Sequence, residues 1–354
     1  MSLIPPPAEL RDLVSGKTKG FRATFLRALL ATLEPCYYLA TKFRNRRYDR
    51  SSELTTKVGI PVISVGNLTV GGTGKTPVVL WTAQRLREKE LRVAIISRGY
   101  GAESSRNDEA MELEARLADV PHVQHADRIV GAQIAIEELE SQVIVLDDAF
   151  QHRRIARDLD IVLIDALCPF GYGHLLPRGL LRESTSGLRR AQAAILTRSD
   201  LVTQSEKAWI ESTILKINPK LIWSEASHSP TQLLNASGEV QELNSLVGLP
   251  VAAFCGIGNP DGFRQTVEKC GAAITAFRPF PDHHSYTADD VASLSDWAKT
   301  NGAKAIVCTQ KDLVKLQVDD LGGVPLLAIQ IDIRFQRGES ELLSAIGRVA
   351  TAAP

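Results

Sequence analysis

The residues best equipped for chemistry are Lys75 and Thr76, which close the stretch VGNLTVGGTGKTP (65–77). An apolar run ahead of them, Val58–Val65, predicts a buried strand, and the amphipathic pattern from Pro77 to Glu88 predicts a helix opening at Lys75–Thr76. Strand, glycine-rich turn and helix in that order make a phosphate-binding loop. The N–H groups of Gly71, Gly72, Thr73, Gly74, Lys75 and Thr76 line an anion-binding concavity at a helix N-terminus, and Lys75 extends to the outer phosphates. The Thr76 hydroxyl is placed to ligate Mg2+. The usual pattern is G-x-x-x-x-G-K-[ST]; here Thr69 stands where the first Gly belongs, followed by Val70. The bland alternative is a glycine-rich turn that happens to precede a lysine, and the flanking elements argue against it. The expectation is a nucleoside triphosphate site built on Thr69–Thr76.

A second phosphate-site signature is VIVLDD (143–148), four apolar residues ending in acids. A carboxylate at the end of a buried strand beside a phosphate loop holds Mg2+ directly or through water, and Asp147 is the better placed of the two. DDAFQHRR (147–154) adds His152, Arg153 and Arg154. A basic cluster there would neutralise developing charge, although solvated surface serves equally well for Arg153 and Arg154. Phosphoryl transfer to an alcohol also needs a group to orient and deprotonate the acceptor. Two loops offer one, Asn107–Asp108–Glu109 and Pro281–Asp282–His283–His284, with helix capping the alternative for Asp108. TQKD (309–312) ends an apolar strand in the manner of a base-reading loop, or simply opens a helix. His122 and His125 read as surface histidines.

The elements that must position these groups alternate. Strands are expected at Leu91–Ser97, Gln142–Leu146, Leu159–Asp165, Ala193–Thr197, Val251–Cys255, Ala273–Phe277, Ala305–Thr309 and Leu326–Ile331, with helices between most of them. The predicted fold is α/β, a P-loop NTPase-like, mostly parallel sheet with helices on both faces and a second, smaller α/β region. Domain boundaries are expected at 1–50 (a loose leader to about residue 16, then a membrane-surface helix), 51–225 (the kinase core), 226–247 (a linker or hairpin) and 248–354 (a region completing the cleft).

Composition narrows the class. The 354 residues are 44% apolar and 23% charged with zero formal net charge, the profile of a soluble globular chain with no global field for nucleic acid. The five cysteines, Cys36, Cys168, Cys255, Cys270 and Cys308, lack C-x-x-C spacing, so a reducing cytoplasm is expected. No signal peptide opens the chain, no long apolar run appears, and no obligate protein partner is indicated. Between Arg11 and Arg50 there are ten Lys/Arg against three acids, a net +7. Within this segment Phe21, Phe25, Leu29 and Leu33 recur every four residues, widened by Leu26, Leu30 and Tyr37, which predicts a helix kinked or restarted at Pro35. Residues 17–49 therefore suit an anionic membrane surface, or a helix packed on the core with a solvated basic edge.

Taken together, the sequence resembles the tetraacyldisaccharide 4'-kinases, the lipid A 4'-kinases of Gram-negative bacteria. VGNLTVGGTGKTP, SRGYG, NDEA, DDAFQHRR, LLPRGLLRE, FCGIGNP, FPDHHSYT and TQKD follow in that family's order over most of the chain, and Thr69 in place of the first Gly is shared. The resemblance implies transfer of the γ-phosphate of ATP, with Mg2+, to the 4'-hydroxyl of a tetraacylated, 1-phosphorylated glucosamine disaccharide. It implies a peripheral enzyme at the cytoplasmic face of the bacterial inner membrane, whose substrate is a lipid held in the bilayer and whose N-terminal helix meets that surface. It also implies an acceptor-activating dyad of Asp108 and His283, with Glu109, Asp147 and Thr76 near the metal. Arg182, together with Asp148, falls near substrate or transition-state charge. Relatives vary at the position of His284, so the sequence leaves open which imidazole faces Asp108. Two rivals remain, a P-loop NTPase switch and a soluble small-molecule kinase.

Overall fold

In the computed structural model, residues 7–99, 108–282 and 284–353 are described, with Pro7–Glu9, Asp108 and Glu109 described as backbone only. The chain forms two compact units, Met1–Gly99 with Asp119–Ser227 and Arg334–Pro354, and Tyr100–Ala118 with His228–Ile333.

The first unit begins with α1 (Pro7–Ser15) and α2 (Phe21–Arg50), then alternates β1 (Val62–Asn67), α3 (Lys75–Arg87) and β2 (Val93–Ser97). Helix α4 (Asp108–Arg116) belongs to the second unit. The first resumes with β3 (His122–Gln124), α5 (Arg128–Glu137), β4 (Val143–Asp147), β5 (Leu159–Asp165), β6 (Ala193–Thr197) and α6 (Gln204–Ile217). Strand β7 (Ile222–Leu234) carries the chain into the second unit, made of β8 (Val240–Gln241), β9 (Pro250–Cys255), α7 (Pro260–Lys269), β10 (Ala273–Pro279), α8 (Ala288–Thr300), β11 (Ala305–Thr309), α9 (Gln310–Leu316) and β12 (Asp320–Leu321). Strand β13 (Val324–Arg337) returns to the first unit, and α10 (Glu339–Ala350) ends there.

In the first unit the strands pair in parallel in the order β7-β6-β5-β1-β4-β2-β3. Strands β1, β2, β4, β5 and β6 are buried at every residue. A parallel strand covered on both faces needs a continuous apolar run, which VIVLD, LDIVLID and AAILT supply. Helix α3 carries Pro77 in its first turn, where an N–H would have no intrahelical partner in any case. In the second unit β10, β9, β11 and β13 are parallel, while β12 and β8 form antiparallel hairpins with β13 and β7.

Several expectations change. The loose leader is a helix: Leu13 and Val14 of α1 are buried, and Arg178 donates to the Val14 carbonyl (3.3 Å). Helix α2 runs unbroken through Pro35. Its inner face packs on both sides of the proline, through Ala23, Leu26 and Leu30 before it and Tyr37, Thr41 and Tyr48 after it, which offsets a proline cost of about 3 kcal/mol. The segment expected as a linker or hairpin at 226–247 holds the second half of β7, which turns into the antiparallel β8. The region expected to be a separate C-terminal unit from 248 gives its last 21 residues back to the first, because the Phe335 ring lies 4.7 Å from Trp81 of α3 and α10 buries Leu342, Ile346 and Val349.

Candidate active site

Strand β1 is central, with β4 and β5 on either side, so the loop after it opens where neighbouring strand ends converge. Gly71 and Gly74 hold φ of 108° and 78°, a left-handed range that favours glycine. Thr69 is extended, bridged antiparallel to Leu181, and the Val70 N–H donates to Leu180 O (2.8 Å). That pairing explains why Thr69 replaces the usual glycine: the backbone there makes a strand contact and no tight turn. Asn67, fully buried, donates from Nδ2 to Thr69 O (2.8 Å) and Thr73 Oγ1 (3.0 Å), bracing the loop from beneath.

A second brace comes from the end of β6. Thr197 Oγ1 donates to Thr73 O (2.9 Å), and Arg198 donates both to Gly72 O and to the buried Asp165 carboxylate (2.8 Å). In a trans peptide the carbonyl and the following N–H point in opposite directions. Fixing the Gly72 and Thr73 carbonyls on one side therefore turns the Thr73 and Gly74 amides to the other. Arg198 itself is left-handed (φ 56°), an uncommon conformation for a side chain of its size.

Lys75 Nζ stands 3.8 Å from Asp148, which also accepts two bonds from Arg182 (2.8 and 2.9 Å). Burial raises the Asp148 pKa, but Lys75 and Arg182 outweigh it and hold the carboxyl below its usual range. Asp148 too is left-handed (φ 49°), which turns its side chain away from the strand direction of its neighbour. Asp147 is buried at the end of β4, in register with Val65 of β1. Thr76 is half-buried in the first turn of α3. The hydroxyl and carboxylate oxygens of Thr76 and Asp147 are hard donors of the kind Mg2+ takes. Among the described residues no cluster of three or more His, Cys, Asp or Glu could hold a metal alone.

Behind this pair lies Glu183, fully buried. It accepts from Arg190 (2.5 and 2.9 Å), from Gln151 Nε2 (3.0 Å) and from Asn45 of α2 (2.7 Å). Tyr37 of α2 donates to Arg182 O (2.9 Å). The inner face of α2 thus reaches the residues that carry Arg182. Arg153 belongs to that contact as well, pairing with Asp49 (2.7 Å) and donating to Asn45 O (3.0 Å), and Arg154 pairs with Asp127 (3.0 Å). The expected basic cluster of 152–154 is thus spent on tying α2 and α5 to the unit. His122 is not a surface histidine. Its Nε2 lies 2.8 Å from Ser97 Oγ, and burial with the nearby Arg128 lowers its pKa to about 4. His152 is likewise lowered to about 4, by burial and then by Arg128 and Arg157.

In the second unit, α4 opens at Asp108; the side chains of Asp108 and Glu109, and His283 altogether, lie outside the described residues. His284 is described. Its ring stacks on Phe280 (4.7 Å between centroids) and meets Tyr286 edge-on (5.0 Å), and its Nε2 lies 3.1 Å from Asp290, the acid of the α8 capping box. TQKD does not present its acid outward as a base reader would: Asp312 is fully buried and wholly engaged within the unit.

The fold brings together Lys75 of the phosphate-loop motif, Asp148 of VIVLDD and Arg182, which only the family resemblance singled out. Reading the sequence passed over Asn67, Asp165, Glu183, Thr197 and Arg198. The one available signal was a polar run, TRSD, directly after the buried strand AAILT.

A family model described as LpxK, tetraacyldisaccharide-1-P 4'-kinase, matches residues 26–349. The tetraacyldisaccharide 4'-kinase of Anaeromyxobacter dehalogenans strain 2CP-C is 38% identical over 339 residues, covering 90% of this chain and 89% of that protein. That of Geobacter sulfurreducens is 36% identical over 343 residues, covering 92% and 94%. Among solved structures, the "apo" form of LpxK from Aquifex aeolicus in complex with ATP superposes with a TM-score of 0.72 at 31% identity, covering 92% of this chain and 99% of that one.

Proposed function

The chain belongs to the tetraacyldisaccharide 4'-kinase family, and from that premise we propose how its own residues perform the reaction. It is a phosphotransferase of lipid A biosynthesis that uses ATP to phosphorylate the 4'-hydroxyl of a tetraacylated glucosamine disaccharide 1-phosphate. Family membership disfavours the NTPase switch and the soluble small-molecule kinase.

In the reading proposed here, the amides of Gly71–Thr76 and Lys75 hold the β- and γ-phosphates of ATP. The observation that carries it is the clamp itself: a loop whose carbonyls are tied back, with Lys75 at its mouth beside the Asp148–Arg182 pair. Thr76 and Asp147, with Glu109, would hold Mg2+, which when bound neutralises charge on the outer phosphate oxygens. Asp148 keeps Lys75 and Arg182 extended toward the phosphates until the nucleotide arrives. Asp108 and His283 orient the 4'-hydroxyl and take its proton as its oxygen attacks in line. The engagement of His284 with Asp290 and Phe280 supports the choice of His283 as the imidazole for this task.

No described helix is long and apolar enough to cross a membrane. The substrate nonetheless carries four acyl chains, and each buried CH2 contributes about 0.8 kcal/mol toward staying in a bilayer. Phe21, Phe25 and Phe43 on the outer face of α2 are 87%, 61% and 66% exposed beside the basic side chains of the same helix. This supports binding of residues 17–49 to an anionic leaflet, as a peripheral enzyme at the cytoplasmic face of the inner membrane. The test is transfer of label from γ-labelled ATP to extracted disaccharide lipid. Lys75→Ala should abolish it, and Asp108→Ala should lower turnover at least about a hundredfold with little change in ATP affinity. Free phosphate as the sole labelled product, or an undiminished Lys75→Ala enzyme, would sink the reading.

A further inference from the structure

The TQKD helix has no task in the reaction as described, yet it is tied to several segments of the second unit. Asp312, fully buried, accepts from the Gly256 amide (3.1 Å to Oδ1, 3.2 Å to Oδ2), from Tyr286 OH (2.9 Å) and from Thr309 Oγ1 (2.5 Å). One carboxylate thus joins three motifs that are far apart in sequence: FCGIGNP through Gly256, FPDHHSYT through Tyr286, and TQKD itself. Burial, with Asp312 beside it, pushes the Tyr286 phenol far up, so it stays protonated and donates. One turn further along α9, Lys315 Nζ donates to the carbonyl of His284 (2.9 Å). The His284 N–H in turn donates to Pro281 O (3.1 Å). The same helix packs against α4, whose first residue is Asp108 and whose Arg116 is anchored at its far end to Ile331 O (3.0 Å) and Asp332.

We propose that α9 is the element that positions both halves of the acceptor-activating dyad, with Asp312, Tyr286 and Lys315 as positioning residues for the helix that opens at Asp108 and for the chain at His284, next to His283 in sequence. The inference rests on the reading of Asp108 and His283 as that dyad. It also replaces base recognition as the role of TQKD, since the carboxylate that would read a base is consumed inside the unit. A general base must sit within hydrogen-bond reach of its proton, and a misplacement of about 1 Å costs up to about a hundredfold in rate. Two segments that both lean on one short rigid helix keep their mutual distance when either is disturbed by substrate.

The test is steady-state kinetics on Lys315→Met, Lys315→Arg and Tyr286→Phe, with Asp108→Ala and the Asp108→Ala/Lys315→Met double variant in parallel. Lys315→Met keeps the aliphatic stem and removes the donor, so it is the variant that folds; Asp312→Asn, in a saturated buried site, serves only as a stability control. Expected are a roughly ten- to hundredfold lower kcat for Lys315→Met with KM for ATP unchanged, recovery of most of it in Lys315→Arg, and no further loss on adding Lys315→Met to Asp108→Ala. A residue acting through the dyad has nothing left to position once the dyad is broken. Wild-type kcat in both Lys315→Met and Tyr286→Phe, a rise confined to KM for ATP, or losses that multiply in the double variant would overturn the proposal. If Asp108→Ala itself turns over like wild type, the dyad reading has failed, a result distinct from these.

Discussion

Arg198 shows how a single side chain sets the geometry of a site it does not occupy. Its guanidinium spans the Asp165 carboxylate and the Gly72 carbonyl, and its backbone adopts φ 56° to do so. Removing a hydrogen bond to a charged group costs about 1.5–3 kcal/mol, and here the cost should fall on the nucleotide-binding conformation. Arg198→Ala is expected to raise the Kd for MgATP about tenfold or more. Arg198→Lys should recover part of that loss, and titration calorimetry reads both. His122 makes a pH prediction. Its folded pKa of about 4 lies below the ordinary histidine value of 6.5, so the unfolded chain binds more protons between those values. The stability that neutral His122 contributes is complete above pH about 6.5 and is lost as pH falls toward about 4. His152 adds a second loss over the same window. Denaturant midpoints followed from pH 7 to 4 should fall, and His122→Gln should fall less steeply.

At the scale of the element, α2 carries two faces of opposite character. The inner face is structural: Asn45 partners the buried Glu183, Tyr37 bonds the Arg182 carbonyl, and Glu34 accepts from the Leu175 N–H (2.8 Å). The outer face leaves Phe21, Phe25, Leu29, Leu33, Leu39 and Phe43 exposed. Deleting residues 1–50 would therefore uncover Glu183 as well as detach the outer stripe, and would confuse two effects. Replacing Phe21, Phe25 and Phe43 by Ser touches only the outer face. Sedimentation with vesicles containing anionic phosphatidylglycerol should show a weaker, still salt-sensitive association, with the thermal midpoint unchanged. Equal binding by the triple variant would remove that face from the membrane contact.

The whole molecule is two units threaded by one chain that leaves the first and comes back. The last 21 residues complete the unit that holds the phosphate loop, with Leu342 and Ile346 fully buried and Phe335 on the ring of Trp81. Losing one buried Leu costs about 2–5 kcal/mol, and a chain ended at Ile333 loses several such side chains at once. Its first unit should lose cooperative unfolding and ATP binding, although every motif residue is still present. Retained ATP binding by that truncation would show the return segment to be dispensable.

Much of this was legible in the residues. The central strands could be read from apolar runs because a strand buried on both faces has no choice of composition: Leu159–Asp165, Ala193–Thr197 and Ala305–Thr309 fall where the sequence puts them. The phosphate loop was legible because local backbone chemistry makes it. Glycines supply positive φ and the helix N-terminus supplies the amides. Strand β7 was not legible, since its buried Ser224 and Ser227 are paid for by partners over a hundred residues away, at Gly338 O and Gln336. The same limit hid the Thr197–Arg198 brace and the task of Asp312: a polar side chain at a strand end reads alike whether it meets water, a ligand or another loop. By itself the sequence determined the strand, the glycine turn and the helix that opens at Lys75, because that is a matter of adjacent backbone. Only the tertiary structure decided that Arg182 and Lys75 share Asp148 and that Asp312 joins Gly256, Tyr286 and Thr309, because those are distances between parts of the chain that meet only after folding.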